Sequence, residues 1–346
     1  MNAESLKINV LTSSQQHNLL EALDPRVFHL IISPTEHCNF RCIYCYETFE
    51  KGRMEPSIVK GLKYFLDAKI PNLRKLTISW FGGEPLLARD LCYDIANHAF
   101  SLCKYSQVEL SGNFTTNGSL LTEDWVKKFL SVKQDQFQIT LDGDHEFHDK
   151  VRPRVDKKGT FHKIWENLVA LHETELPFKI LLRLHVRQTN EDSLSHLINR
   201  AKQQLQGDKR FQFGFHEVED LGGPNTGQFE ISEPQYYKPA VDRLMKQLRP
   251  EFVVQDMCQD DLLHICYASK PNSLFIRPNG TIGKCTVALD DDLNRVGELH
   301  EDGQIYVSEK KLNDWSMGFK SLDKQTLSCP LAALHHKACE KCSDSN

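Results

Sequence analysis

The sequence predicts an α/β protein: an incomplete (β/α)6 TIM-like barrel, open on one side, with a small cysteine-rich domain after it. Three observations lead there. Between Phe28 and Leu248 short apolar runs alternate six times with longer amphipathic runs, the pattern of a parallel sheet with helices outside. Six units are too few to close an eightfold barrel. Past about Pro250 the helical periodicity weakens and cysteines return, which sets a boundary there. The divisions are an N-terminal extension over 1–27, a barrel over 28–249 and an auxiliary domain over 250–346.

The extension is short and mixed, enough for a cap or a hairpin. Phe28–Ser33 reads as a buried strand. Pro56–Ile70 is a helix, with Pro56 suited to its first turn and Ile58, Leu62 and Phe65 on one face. Lys75–Phe81 is a strand and Arg89–Tyr105 a helix, whose Cys92 and Cys103 share an apolar face with Leu91, Ile95, Ala99 and Leu102 as ordinary core residues. Then come strand Val108–Phe114, helix Thr122–Val132, strand Gln136–Leu141 and helix Thr160–Glu173. Strand Phe178–Val186, helix Glu191–Leu205, strand Phe211–His216 and helix Glu233–Leu248 complete the series, the last after a Gly-rich loop, Leu221–Gly227. In the final part Pro278-Asn279-Gly280 is a turn between the strand-like runs Ser273–Arg277 and Thr281–Thr286, a hairpin that brings Cys266 and Cys285 together.

Composition excludes several roles. The chain has 346 residues, 40% of them hydrophobic, ample for a core. A net charge of −5 offers no basic excess to neutralise phosphates, so no nucleic-acid partner is expected. No apolar run reaches membrane-spanning length, and MNAESLKINVLTSSQQ has no signal-peptide pattern. A cytoplasmic location follows, and the cysteines other than Cys92 and Cys103 read there as metal ligands rather than disulfides.

Four loops at strand C-terminal ends carry unusual chemistry, and in parallel α/β folds that face builds the site. The first is Cys38-Asn39-Phe40-Arg41-Cys42-Ile43-Tyr44-Cys45, a CxxxCxxC triplet. Three thiolates hold three corners of a 4Fe-4S cubane and leave one iron open for a substrate or cofactor. Zinc is the alternative, but it usually pairs CxxC units or mixes Cys with His. The second loop is Gly82-Gly83-Glu84-Pro85, the third Thr115-Thr116-Asn117-Gly118, the fourth Asp142-Gly143 after Thr140.

Together these motifs resemble the radical S-adenosylmethionine superfamily, over about Phe28 to Leu248. The resemblance implies a 4Fe-4S cluster on Cys38, Cys42 and Cys45 whose open iron chelates S-adenosyl-L-methionine. One electron then breaks a carbon–sulfur bond, giving a 5′-deoxyadenosyl radical that abstracts a substrate hydrogen. It implies that Gly82 and Gly83 let the backbone approach the cofactor's amino group, that Glu84 anchors this loop, and that Tyr44 lies near the adenine. Asn117 and Thr140 would serve the ribose and methionyl end, and Arg152 a carboxylate of cofactor or peptide. Arg183, His185 and Arg187 alternate along the fifth strand and share one face. An inward face would make them site candidates, an outward one helix-packing or solvated residues. No catalytic base is assigned.

Cys258, Cys266, Cys285, Cys329, Cys339 and Cys342 resemble the ligands of an auxiliary Fe–S domain, of the SPASM type or its shorter twitch relative. Six cysteines suffice for one auxiliary 4Fe-4S cluster, with a second open and zinc as the alternative. Enzymes with such domains oxidise or cross-link side chains of ribosomal peptides, so the resemblance implies a peptide maturase acting by C–H abstraction. Sulfatase maturases, which make formylglycine, are the second reading. In them an aspartate follows the cysteine of a GxxxxC unit, which here is Gly280–Cys285 and is followed by Thr286. A non-catalytic electron carrier or scaffold is the reading from another class. Expected partners are a peptide or protein substrate and a reductant such as flavodoxin or ferredoxin. The segment before Phe28 is too short for a leader-binding domain, so a separate leader-peptide-binding protein is a further expected partner.

Overall fold

The structure, a computed structural model, describes residues 12–256 and 264–343. It opens with helix α1 (Ser13–Leu23), where the sequence suggested only a cap or hairpin. A capping box starts it: the Gln15 N–H donates to the Thr12 hydroxyl, and the Thr12 N–H to the Gln15 side chain. Then come β1 (Val27–Ile32), α2 (Pro56–Lys69), β2 (Lys75–Trp80), α3 (Arg89–Ser106), β3 (Glu109–Thr116) and α4 (Glu123–Ser131). They lead on to β4 (Gln134–Leu141), α5 (His145–Val151), α6 (Phe161–His172), β5 (Lys179–Val186), α7 (Glu191–Gln204), β6 (Phe211–Glu217) and α8 (Pro234–Leu248). All six predicted βα units are present, with ends moved by a residue or two. Helix α5 is extra: His-Glu-Phe-His-Asp-Lys-Val buries only His148 and Val151, too little for an apolar period.

β1 to β6 pair in sequence order, all parallel, and β7 (Val253–Asp256) adds a parallel strand beyond β6. On the other side β8 (Ser273–Ile276) pairs parallel with β1. β9 (Thr281–Gly283), β10 (Gly297–Leu299) and β11 (Ile305–Val307) continue the same sheet antiparallel. Residue 250, near which the sequence suggested a boundary, lies between α8 and β7, and one sheet takes in strands from both sides of it. The predicted hairpin is β8–β9, and Gly280 in its turn has φ +83° with Leu299 O only 2.7 Å from where a Cβ would stand. Four helices close the chain, α9 (Glu309–Trp315), α10 (Gly318–Ser321), α11 (Lys324–Ser328) and α12 (Pro330–Ser343).

Alternation along the strands explains the layers. Leu76, Ile78 and Trp80 of β2 and Phe137, Ile139 and Leu141 of β4 are buried in one core with Leu62 and Leu66 of α2 and Ile95 and Ala99 of α3. Trp80, Phe114 and Phe137 stack in a row at centroid spacings of 5.7 and 5.6 Å. Each such ring contributes about 1.5–3 kcal/mol through burial. The other face carries Thr77, Ser79, Ser111, Gln138, Thr140, Arg183 and His185, a polar wall held by Thr77–Ser111 and His29–Ser79 hydrogen bonds of 3.1 and 2.8 Å. The fold thus points its polar row inward, and Arg183, His185 and Arg187 belong to it. Among the described residues no helix is long and apolar enough to cross a membrane.

Candidate active site

The cysteine loop leaves β1 and is fixed from three sides. Its middle zips onto the segment after α5: Phe40 bridges Arg154, the Arg41 N–H donates to Pro153 O (2.7 Å), and the Ile43 N–H to Val151 O (2.9 Å). Its start is pinned by a buried fork, with Arg277 Nε donating to Glu36 Oε1 (2.7 Å) and a terminal nitrogen to Oε2 (3.1 Å). Arg277 follows β8, so the C-terminal part of the chain helps set the loop. From the third side, the Glu84 N–H donates to His37 O at 2.9 Å.

That third contact explains the glycine pair. Gly82 and Gly83 have φ +85° and +46°, and a Cβ on Gly83 would stand 2.3 Å from His37 O, one on Gly82 2.1 Å from the Ser33 hydroxyl. The side chains are excluded by the cysteine loop lying against them. Glu84 is fully buried and accepts three hydrogen bonds, from Leu86 N–H (2.9 Å), Thr116 Oγ1 (2.7 Å) and Asn117 N–H (2.6 Å). It ties the second loop to the third. Asn117 in turn donates to Asn39 Oδ1 (2.8 Å) and accepts from the Ser119 N–H and hydroxyl. Its amide is thereby committed to the cysteine loop, with Cys38 Sγ 4.0 Å away.

Facing this, a buried polar cluster fills the ends of β4 and β5. Tyr44 donates to Asp142 Oδ2 (2.7 Å), and Arg152 donates to the Tyr44 hydroxyl (2.6 Å). His185 packs edge-on to the Tyr44 ring at 5.2 Å, and the Arg187 guanidinium lies 4.9 Å from its centroid. Burial alone would raise the Asp142 carboxyl, but His185, Arg152 and Arg187 hold it well below the usual carboxylate range. Burial lowers His185 to about 4 and His148 to about 3, so both are neutral at pH 7. Two guanidiniums therefore share one carboxylate, leaving a buried positive excess beside Cys42, whose thiolate raises Arg152 further. Thr140 stands in register with Arg183 on the same wall.

These residues fit an anionic cluster and a carboxylate-bearing cofactor. Cys38, Cys42 and Cys45 are unbridged and half-buried. Burial raises all three thiols, Cys45 to about 12, and each of Cys38 and Cys45 is raised further by neighbouring thiols. Three buried thiolates need a bound cation to exist. Among the described residues no three His, Cys, Asp or Glu side chains are grouped to hold a single metal ion.

In the C-terminal part, burial raises the Cys266 and Cys285 thiols; Cys285 and Cys329 raise Cys266 further, and Cys329 raises Cys285, so the hairpin and α11 bring the three within electrostatic reach. Asn294 fixes the Cys285 turn, accepting from the Lys284 and Cys285 N–H groups and donating to Cys285 O. Cys258 and the side chains of Cys339 and Cys342 lie outside the described residues; α12 carries the last two.

Three contacts were not readable beforehand. Buried Glu47 accepts from the Gly83 N–H at 2.8 Å, and burial raises its carboxyl to about 7. Tyr46, next to Cys45, donates to Thr286 O (3.1 Å), while Tyr267, next to Cys266, shares a 2.6 Å hydrogen bond with the Thr286 hydroxyl. Each joins residues distant in sequence, so spacing carried no signal. Asp142 stood in a quoted loop, but its three basic neighbours come from other segments.

Residues 32–200 match the family model described as the Radical SAM superfamily. That stretch of the chain carries a Radical SAM superfamily domain. Its sequence is similar to the cysteine-type anaerobic sulfatase-maturating enzyme of Clostridium novyi, 26% identical over 79% of this chain and 76% of the relative. It is also similar to the serine-type enzyme of Klebsiella pneumoniae, 24% identical over 95% and 80%. Among solved structures, anSMEcpe with bound AdoMet gives a TM-score of 0.62 at 18% identity, covering 83% of this chain and 77% of that one. Streptococcus suis SuiB bound to precursor peptide SuiA gives 0.54 at 15%, covering 84% and 66%. Both likenesses are of fold. This radical SAM fold is the TIM-like barrel expected.

Proposed function

We propose that this radical SAM enzyme oxidises a side chain of a ribosomal peptide or protein, by C–H abstraction that leads to a cross-link. The single observation that carries the reading is the union of the triplet loop with a second cysteine group through Tyr46 and Thr286. Cys38, Cys42 and Cys45 are the ligands of the 4Fe-4S cluster in this reading. Gly82, Gly83, Glu84, Asn117, Thr140, Tyr44 and Arg152 hold S-adenosyl-L-methionine, directly or by fixing the loops around it. When bound, cluster and cofactor supply one-electron reductive cleavage and hydrogen abstraction. The chain's own contribution is placement. Glu84 locks two loops, Arg152 and Tyr44 give a fixed positive wall, and the polar lumen beneath accepts the substrate.

Cys266, Cys285 and Cys329, with Cys258, Cys339 or Cys342 as the fourth, are the ligands of one auxiliary 4Fe-4S cluster. They belong to a SPASM/twitch domain over 250–346, following the barrel of 28–249. Peptide chemistry is supported by the relatives that mature sulfatases and by similar structures solved with a peptide, Cp18Cys or SuiA. A cytoplasmic reductant such as flavodoxin or ferredoxin, and a separate leader-binding protein, complete the proposal.

The sulfatase-maturase reading is favoured by those sequence relatives and opposed by Thr286. Nearby acids do not replace the missing aspartate. Asp290 pairs with Arg277 at 3.0 Å and Asp291 with His335 at 2.7 Å. Incubating reduced holoenzyme with peptides encoded beside its gene, and with a sulfatase-derived peptide, tests the choice by mass spectrometry. A loss of two hydrogens from the neighbouring peptide is expected. Formylglycine in the sulfatase peptide would transfer the assignment to the second reading.

A further inference from the structure

We propose that Arg187 receives a carboxylate of the substrate, so that the peptide presents an acidic side chain or its own C-terminus at the end of β5. This rests on the peptide reading above. Arg187 directly follows β5 and is 2% exposed. Its Nε and one terminal nitrogen have no hydrogen-bond partner. The nearest carboxylate, Asp142, is 3.7 Å from that terminal nitrogen, beyond hydrogen-bond reach.

Asp142 is already engaged. Its Oδ2 accepts from Tyr44 at 2.7 Å and faces Arg152 at 3.7 Å, while Oδ1, 3.4 Å from His185, has no hydrogen-bond partner, so two guanidiniums divide one carboxylate. A buried guanidinium without an acceptor is costly, and its planar fork matches a carboxylate. Of the two guanidiniums on Asp142, Arg152 is the one bound to the Tyr44 hydroxyl and attached to the segment that zips the cysteine loop. Arg187 enters from β5 and lies 4.9 Å from the centroid of the Tyr44 ring, which Phe229 also meets at 6.3 Å. Arg152 is thus held on the side of the cluster loop, and Arg187 is left as the guanidinium whose fork has no acceptor.

The test is affinity selection on anaerobic holoenzyme loaded with S-adenosyl-L-methionine. Three pools of N-acetylated pentapeptides are offered: Asp or Glu at the centre with an amidated end, Asn or Gln at the centre with an amidated end, and neutral side chains with a free C-terminus. Glutarate is a separate, non-peptide probe. The wild type should enrich one carboxylate pool over the amide pool by about tenfold, the scale of one charge-assisted contact. The first pool would identify a side-chain carboxylate, the third a C-terminus. Arg187→Gln should bring the pools to parity while cofactor affinity stays within about threefold. Arg187→Lys keeps the charge but lacks the fork and should lose most of the enrichment. It remains a test if the glutamine variant does not fold. Enrichment that survives both variants, or is absent in the wild type for every carboxylate probe, overturns the proposal. So does a large loss of cofactor affinity in Arg187→Gln with peptide selection intact. Glutarate bound by the wild type alone, with no peptide bound, would keep the carboxylate site and remove the peptide reading.

Discussion

Glu84 is the residue whose removal the structure prices most directly. Three donors converge on a carboxylate with no exposure, at 2.9, 2.7 and 2.6 Å. In Glu84→Ala all three lose their acceptor. At about 1–3 kcal/mol per buried orphan, the loss is roughly 3–9 kcal/mol, a large share of the 5–15 kcal/mol that holds a domain together. Glu84→Gln is the more informative change. It keeps one acceptor oxygen but turns an NH2 toward a donor, which should cost about 2 kcal/mol. The amides of Leu86 and Asn117 report this locally. Their exchange should accelerate about 30-fold in the glutamine variant if both exchange through local opening of this loop. Hydrogen–deuterium exchange by mass spectrometry resolves the segments around residues 86 and 117. Unchanged protection at both, with an unchanged urea midpoint, would refute the claim that Glu84 joins the two loops.

Further outcomes follow from the same geometry. Gly83→Val should displace the cysteine loop, since its Cβ would sit 2.3 Å from His37 O. Reduced iron uptake together with weakened S-adenosyl-L-methionine binding is expected, and normal values for both would show that the loop can yield. The chain should lose stability in mild acid. Buried His148 and His185 and part-buried His29 and His216 stay neutral down to about 3, 4, 4 and 4 in the fold. Unfolded, they take protons below about 6.5, so the unfolded state binds more protons between that pH and about 4, and stability falls as pH drops through the window. Four such groups give at most roughly 5 kcal/mol per pH unit, less for partly exposed His216. Urea midpoints that do not move between pH 7 and pH 5 would contradict this. Replacing Cys266, Cys285 and Cys329 by Ala should lower reconstituted iron from about eight to about four per chain. Iron content unchanged by the triple replacement would place no cluster there.

Strand and helix order was legible because each unit has its own apolar period. Leu76-x-Ile78-x-Trp80 and Phe137-x-Ile139-x-Leu141 declare which face meets the helices. The four strand-end loops could be placed once the strands were known. What could not be read was how those loops hold one another. Helix α5 has no apolar stripe, yet the segment after it secures the cysteine loop. Glu36 and Arg277 are 241 positions apart, and their fork appears only once β8 docks beside β1. The inward face of Arg183, His185 and Arg187 was undecidable from alternation, because a strand buried on both sides offers no polar face to solvent. The glycine pair was legible as a close approach, but the approach proved to include the cysteine loop itself.

The central claim is that Cys38, Cys42 and Cys45 hold the cluster that works on S-adenosyl-L-methionine beside the Gly82–Glu84 loop. Formation of 5′-deoxyadenosine by dithionite-reduced, anaerobically reconstituted protein measures it most directly. The wild type should form it, and Cys38→Ala, Cys42→Ala and Cys45→Ala should each reduce it to background, because each removes one of three protein ligands. Substantial 5′-deoxyadenosine from any of the three variants, or none from iron-loaded wild type, would contradict the account.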